Sequence, residues 1–179
     1  LSVLITTYNR SKLLDLTLNS YTLQGLDPSL YELIVIDDGS SDNTKEVSDS
    51  YLNKGFPIKY VYLNRPGWTN CALAINVGIK EASGDIILLS SSDVITVTNT
   101  MQQHIEYQKQ NNNSVVTARC YNIKKSFCDS HDMMDKENIF TAYNAHIDSP
   151  CIGKEGPTAD WIVGFSTSVP KSVLLEVQG

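Results

Sequence analysis

The chain has no apolar run approaching the roughly 18 residues that a membrane-crossing helix needs, and no cleavable leader is visible at its start. Cysteine is sparse: Cys71, Cys120, Cys128 and Cys151 form no CxxC pair, which argues against a zinc or redox motif. Reduced, mostly buried thiols are expected. Basic residues are few, with 14 Lys and Arg against 20 Asp and Glu and a net charge of −6, so a broad nucleic-acid footprint is excluded. Lys124-Lys125 is the only basic doublet and reads as a solvated loop. The glycine-rich phosphate loops are missing as well. No GxGxxG follows the first apolar run and no GxxxxGK[ST] occurs, which removes the classical dinucleotide and P-loop sites. A calcium loop is excluded too, because Gly39 follows Asp37 and Asp38 too closely and no glutamate stands at the required distance.

What is present is a series of short β-rich runs that end in polar residues. They are Ser2 to Asn9, Glu32 to Asp38, Ile58 to Leu63, and Asp85 to Asp93. Helical patterns separate them, which predicts a single α/β domain with a mostly parallel sheet flanked by helices. The size, 179 residues with 41% apolar, suits one core. The first helix carries Leu13, Leu14, Leu16, Leu18 and Tyr21, with Ser11 as its expected N-cap. The second carries Val47, Tyr51 and Leu52 and is capped by Ser41 or Asp42. A third is expected from Trp68 to Ala82 and a fourth from Asn99 to Gln110. Val115 to Tyr121 reads as a fifth strand, residues 124–157 as a long binding or mobile loop, and Trp161 to Val169 as extended, with Pro170 opening a last helix.

In an open parallel sheet the ligand crevice lies at the carboxyl ends of the strands. The first strand supplies Thr6-Thr7-Tyr8-Asn9-Arg10, hydroxyls and an aromatic face that suit a base and ribose better than a pyrophosphate. Asp38 can accept from a base N–H or a ribose hydroxyl. Asp93 is a hard oxygen ligand for Mg²⁺ or Mn²⁺, whose remaining shell would come from water and phosphate oxygens. Each of these residues has a plainer reading: Asp37-Asp38-Gly39 as a turn, Asp93 as a helix N-terminal acid, and Arg65 as a surface-turn residue instead of a diphosphate partner. Trp68 and Trp161 read as packing residues, and Trp161 could also offer its ring for a ligand to stack on. His104, His131 and His146 share no ligand spacing and read as surface or loop histidines.

Taken in order, Thr6-Thr7-Tyr8-Asn9-Arg10, Ile34-Val35-Ile36-Asp37-Asp38-Gly39-Ser40, Gly84-Asp85-Ile86-Ile87-Leu88-Leu89 and Gly164-Phe165-Ser166-Thr167-Ser168-Val169-Pro170 resemble the consecutive motifs of family 2 glycosyltransferases. That resemblance implies a GT-A (Rossmann-like) fold and use of a nucleotide-diphosphate sugar. Carried over by position, it implies that Thr6, Tyr8 and Asp38 contact base and ribose, that Asp37 supports their loop, and that Arg65 and Ser92 belong to the nucleotide site. The metal-binding DxD falls on Ser91-Ser92-Asp93, so Ser91 replaces the first aspartate and Asp93 is left to hold Mn²⁺ or Mg²⁺. Asp160, Trp161 and Gly164 fall on the acceptor side. The general base of inverting members matches no residue here and is expected beyond Gly179.

The resulting expectation is a glycosyltransferase catalytic domain, UDP-sugar-using, inverting and metal-dependent. Residues 1–93 would form its nucleotide-binding half and 94–179 its acceptor-side half. A glycan, a lipid-linked sugar or another hydroxyl compound would be the acceptor, as in polysaccharide biosynthesis, in the cytoplasm or at the membrane surface through other segments. Two alternatives stand beside it: a catalytically silent nucleotide-sugar-binding module, and a metal-dependent nucleotidyltransferase.

Overall fold

The computed structural model describes residues 1–65, 69–97, 99–111, 113–118, 121–123, 132, 135, 147–150 and 166–177. The apolar runs form strands β1 (Ser2–Thr7), β2 (Glu32–Asp37), β3 (Ile58–Tyr62) and β4 (Ile86–Ser91). Helices α1 (Ser11–Thr22), α2 (Thr44–Asn53) and α3 (Cys71–Glu81) connect them, and α4 (Thr100–Gln110) follows β4. Then come β5 (Val116–Thr117), β6 (Tyr121–Ile123), β7 (Ile147–Pro150), β8 (Thr167–Pro170) and α5 (Lys171–Glu176).

The main sheet has the order β3-β2-β1-β4-β8-β5. β1 pairs in parallel with both β2 and β4, and β2 with β3; β8 runs antiparallel to β4 and β5. β6 and β7 form a separate antiparallel pair. An unbroken apolar run is what a strand covered on both faces requires. Val3 and Ile5 face Leu14, Leu18 and Tyr21 of α1, Tyr51 of α2 and Met101 of α4, while Leu4, Ile34, Ile36 and Ile87 face Ala74 and Ile79 of α3 and Leu174 of α5. The result is three layers, helix on sheet on helix. Gly78 lets α3 approach closely, since a Cβ there would sit 2.9 Å from Ile36 Cδ1.

Two expectations on local structure are corrected. The fifth strand does not run from Val115 to Tyr121. Its ladder with β8 pairs only Val116 and Thr117, because β8 begins at Thr167, directly after Ser166 with its left-handed φ of 53°. Tyr121–Ile123 pairs with β7 instead. Nor does Ser11 cap α1: Arg10 holds the N-cap position without a capping side-chain bond, and the Ser11 N–H donates to Asp42 Oδ2 across the β2–α2 loop at 2.9 Å.

The topology fixes where a ligand can enter. From β1 the chain steps outward through β2 to β3, then returns to the far side of β1 as β4. Crossovers therefore leave in opposite directions at the β1/β4 boundary, and a crevice opens at the carboxyl ends of those two strands.

Candidate functional site

Asp37 ends β2 and Asp38 follows it, and the two carboxylates have different surroundings. Asp37 is buried; its Oδ1 accepts from the Gly39 and Ser40 N–H groups at 3.1 and 2.7 Å, and its Oδ2 accepts from the Tyr60 hydroxyl at 2.6 Å. Burial, then the Asp37 carboxylate, pushes the Tyr60 pKa far up, so this phenol stays a donor. Asp37 thus ties the loop that follows β2 to Tyr60 of β3. Gly39 is required there. Its φ is 97°, and a Cβ would lie 2.9 Å from the Arg65 carbonyl oxygen.

Asp38 is also buried, but it lines the crevice. Its Oδ2 accepts from the Asn70 N–H at 2.6 Å and its Oδ1 pairs with the Arg65 guanidinium. Each carboxylate oxygen has a second lone pair, so the group can still accept from a ligand N–H or hydroxyl. Arg65 meets Asp38 with only 15% of its side chain exposed, and so holds that carboxylate in place.

The loop after β1 is built around Asn9, which takes a left-handed φ of 50°. Asparagine tolerates this backbone better than most residues. The Asn9 N–H donates to Ser40 Oγ at 2.8 Å, and its side-chain oxygen accepts from the Ser41 N–H at 2.8 Å. Asp42 ties the same two loops from below α1 and α2, accepting from the N–H groups of Ser11 and Thr44. Burial alone would raise the Asp42 pKa, but the hydrogen bonds from Thr44 and Ser11 outweigh it and bring it down. The aromatic and basic side chains of Tyr8 and Arg10 are therefore carried on a backbone fixed at both ends.

At the end of β4 the Ser92 N–H donates to Thr6 O at 3.1 Å, so the Ser91-Ser92-Asp93 segment lies directly against the β1 terminus. Thr6, Thr7, Tyr8, Arg10, Asp38, Thr69, Cys71, Ser91 and Ser92 line one cavity of about 290 Å³ at this switch point. The buried Thr7 hydroxyl has no partner among the described residues and can meet a ligand. Asp93 pairs with Arg10 at the rim, where the two side chains are 42% and 51% exposed. An exposed pair of this kind is worth about 0–1 kcal/mol. The buried Arg65–Asp38 pair is different, since losing one partner of such a pair costs about 3–5 kcal/mol.

Among the described residues no group of three or more His, Cys, Asp or Glu could hold a metal ion. The donors at the rim are one carboxylate, Asp93, beside the serine hydroxyls. That set is too small for a resident ion but fits Mg²⁺ or Mn²⁺ arriving with a diphosphate, since these ions use one or two carboxylates and complete their shell with phosphate oxygens and water.

Several residues differ from their sequence reading. His104 is not a surface histidine: it is buried on α4, its Nδ1 lies 2.9 Å from Ser168 Oγ, and burial lowers its pKa to about 4. Apolar neighbours Met101 and Ile105 marked that helix face in sequence, but one polar residue among them was read as solvated. Cys71 is exposed and lines the cavity, 3.9 Å from Thr6 Oγ1, contrary to the expected buried thiol. Sequence reasoning missed Gln24 altogether. Its amide holds the segment after Asp93 through Thr96 Oγ1 and Val97 O, and its carbonyl accepts from the Met101 N–H. Asp160, Trp161 and Gly164, along with Trp68, His131, His146 and Lys124-Lys125, lie outside the described residues.

Comparison with known proteins agrees with this geometry. The family described as "Glycosyl transferase family 2" matches residues 2–152. A validoxylamine A glucosyltransferase of Streptomyces hygroscopicus subsp. limoneus is 40% identical over 95 residues, 53% of this chain and 20% of the relative. In three dimensions the chain is similar to S. aureus TarS residues 1–349 in complex with UDP-GlcNAc, with a TM-score of 0.71 at 18% identity, covering 99% of this chain and 47% of that one. It is also similar to the mannosyltransferase PcManGT of Pyrobaculum calidifontis in complex with GDP-Man and Mn²⁺, with a TM-score of 0.68 at 17% identity, covering 99% and 46%. The crevice at the β1/β4 switch point and the matched span together place the chain in glycosyl transferase family 2, with the GT-A fold. It spans about a fifth of the length of the validoxylamine relative.

Proposed function

We propose that this chain belongs to the catalytic domain of a glycosyltransferase that moves a sugar from a UDP-sugar to an acceptor hydroxyl, with inversion, and that residues 1–93 form its nucleotide-binding half. The observation that carries the reading is the cavity at the β1/β4 switch point, where Thr6, Tyr8 and Asp38 face Ser91 and Ser92. Tyr8 offers a ring for the base, the Asp38 carboxylate accepts from its N–H or from the ribose, and the Thr6 and Ser92 hydroxyls serve sugar or phosphate oxygens. TarS in complex with UDP-GlcNAc supports a uridine donor.

Asp93 would hold a divalent ion, which when bound neutralises charge on the departing nucleoside diphosphate. The Mn²⁺ in the PcManGT complex supports that reading. The remaining chemistry needs an acceptor hydroxyl made nucleophilic by a carboxylate, which we assign to a segment C-terminal to Gly179, with Asp160, Trp161 and Gly164 toward the acceptor. Residues 94–179 would then be the acceptor-side half. A reducing, cytoplasmic setting suits the exposed Cys71 thiol.

A thermal-shift screen across UDP, GDP, CDP and dTDP, with and without Mn²⁺, tests this. A ligand at a hundredfold excess over its Kd stabilises by about 2.7 kcal/mol, which is easily read. UDP should give the largest shift; no shift with any diphosphate would sink the proposal. One observation favours the silent-module reading, namely that Ser91 replaces an acid and Asp93 is paired with Arg10. Sugar transfer by the full-length protein, lost on Asp93→Ala, would exclude it.

A further inference from the structure

We propose that Arg10 is the diphosphate-binding residue of this pocket, kept in place by Asp93 until phosphate oxygens replace that carboxylate. The inference rests on the nucleotide-sugar reading above and names a residue that reading leaves without a task. The cavity is walled by hydroxyls and a carboxylate, and Arg10 is the only cationic side chain among the described residues that line it. A diphosphate brought beside Asp38 and Asp93, in a chain of net charge −6, needs a countercharge at the rim. Arg65 cannot supply it cheaply, because its guanidinium is buried against Asp38.

Arg10 differs in each respect. Its pair with Asp93 is half-exposed, so exchanging one anion for another there sacrifices little. Its backbone is fixed: Asn9 is bonded to Ser40 and Ser41, Ser11 to Asp42, and Arg10 O accepts from the Leu14 N–H at 2.9 Å. Only the side chain is free to turn. Helix stability does not explain it, since a cation at the N-cap of α1 opposes the helix dipole and makes no capping bond. A planar guanidinium does suit a diphosphate, which it can grip with two parallel N–H···O bonds.

The test is calorimetric titration of the protein with uridine and with UDP, in EDTA and in Mn²⁺, with far-UV circular dichroism to confirm folding. In EDTA, Arg10→Gln should bind uridine like wild type but UDP about tenfold or more weakly, the size of a lost charge-assisted hydrogen bond. Arg10→Lys should fall between, since it keeps the charge without the fork. Asp93→Asn should bind UDP more tightly than wild type in EDTA, because Arg10 is released. Unchanged UDP binding by Arg10→Gln, or an equal loss of uridine and UDP, would overturn the inference while leaving the nucleotide reading in place. A wild-type protein that bound neither would overturn both.

Discussion

Asp38 and Asp93 are both carboxylates at strand ends, yet their surroundings predict opposite responses to the same change. Asp38→Asn takes the carboxylate away from a buried guanidinium, so it should lower unfolding free energy by about 3–5 kcal/mol and weaken UDP binding with and without Mn²⁺. Asp93→Asn loses only an exposed pair and should shift stability by about 0.5 kcal/mol or less, while, on the proposed metal role of Asp93, UDP affinity should no longer rise when Mn²⁺ is added. Urea titrations read the first quantity and calorimetry the second. The sequence marked both acids, because each terminates an apolar run. It could not tell which arginine each one meets. Arg10 and Asp93 are 83 residues apart, and nothing local to either announces the other.

At the scale of elements, the loop after β2 is the most constrained piece of the site. Gly39→Ala forces a side chain into a φ of 97° and against the Arg65 carbonyl, so a loss of about 1–3 kcal/mol is expected, with nucleotide binding reduced because the β3–α3 connection must move. Thermal unfolding with and without UDP checks both. Strands and helices were legible wherever an apolar pattern met a breaker, as at β1, β2, β4 and α2. Caps were less so. Ser11 looked like a cap from its neighbours, but the oxygen that serves α1 comes from Asp42 in another loop. β5 was overextended because a strand's length is set by its partner, and β8 is only four residues long.

For the molecule as a whole, acid should be destabilising well before the carboxylates titrate. His104 has its pKa lowered to about 4 by burial, against 6.5 for the free side chain. Below pH 6.5 the unfolded chain binds a proton that the native state refuses, so the stabilising contribution present above 6.5 is lost as pH falls toward 4. The slope is up to about 1.4 kcal/mol per pH unit. Urea midpoints at pH 7, 6 and 5 should fall steadily in wild type and more gently in His104→Gln; parallel lines would refute the assignment. The global architecture was readable from the alternation of strands and helices. The side of β1 on which β4 returns was not, because composition is silent on strand order. That order has a consequence for biosynthesis. β1 leaves the ribosome before β2 and β4, finds β2 soon after, and then presents its other edge bare while more than fifty further residues are made, at about 5–20 residues per second. An open edge of Val3, Leu4 and Ile5 is a template for pairing with other nascent chains. The arrival of β4 both closes that edge and completes the cavity, so in a cell the first moment at which this chain can hold a nucleotide is also the moment at which it stops being sticky.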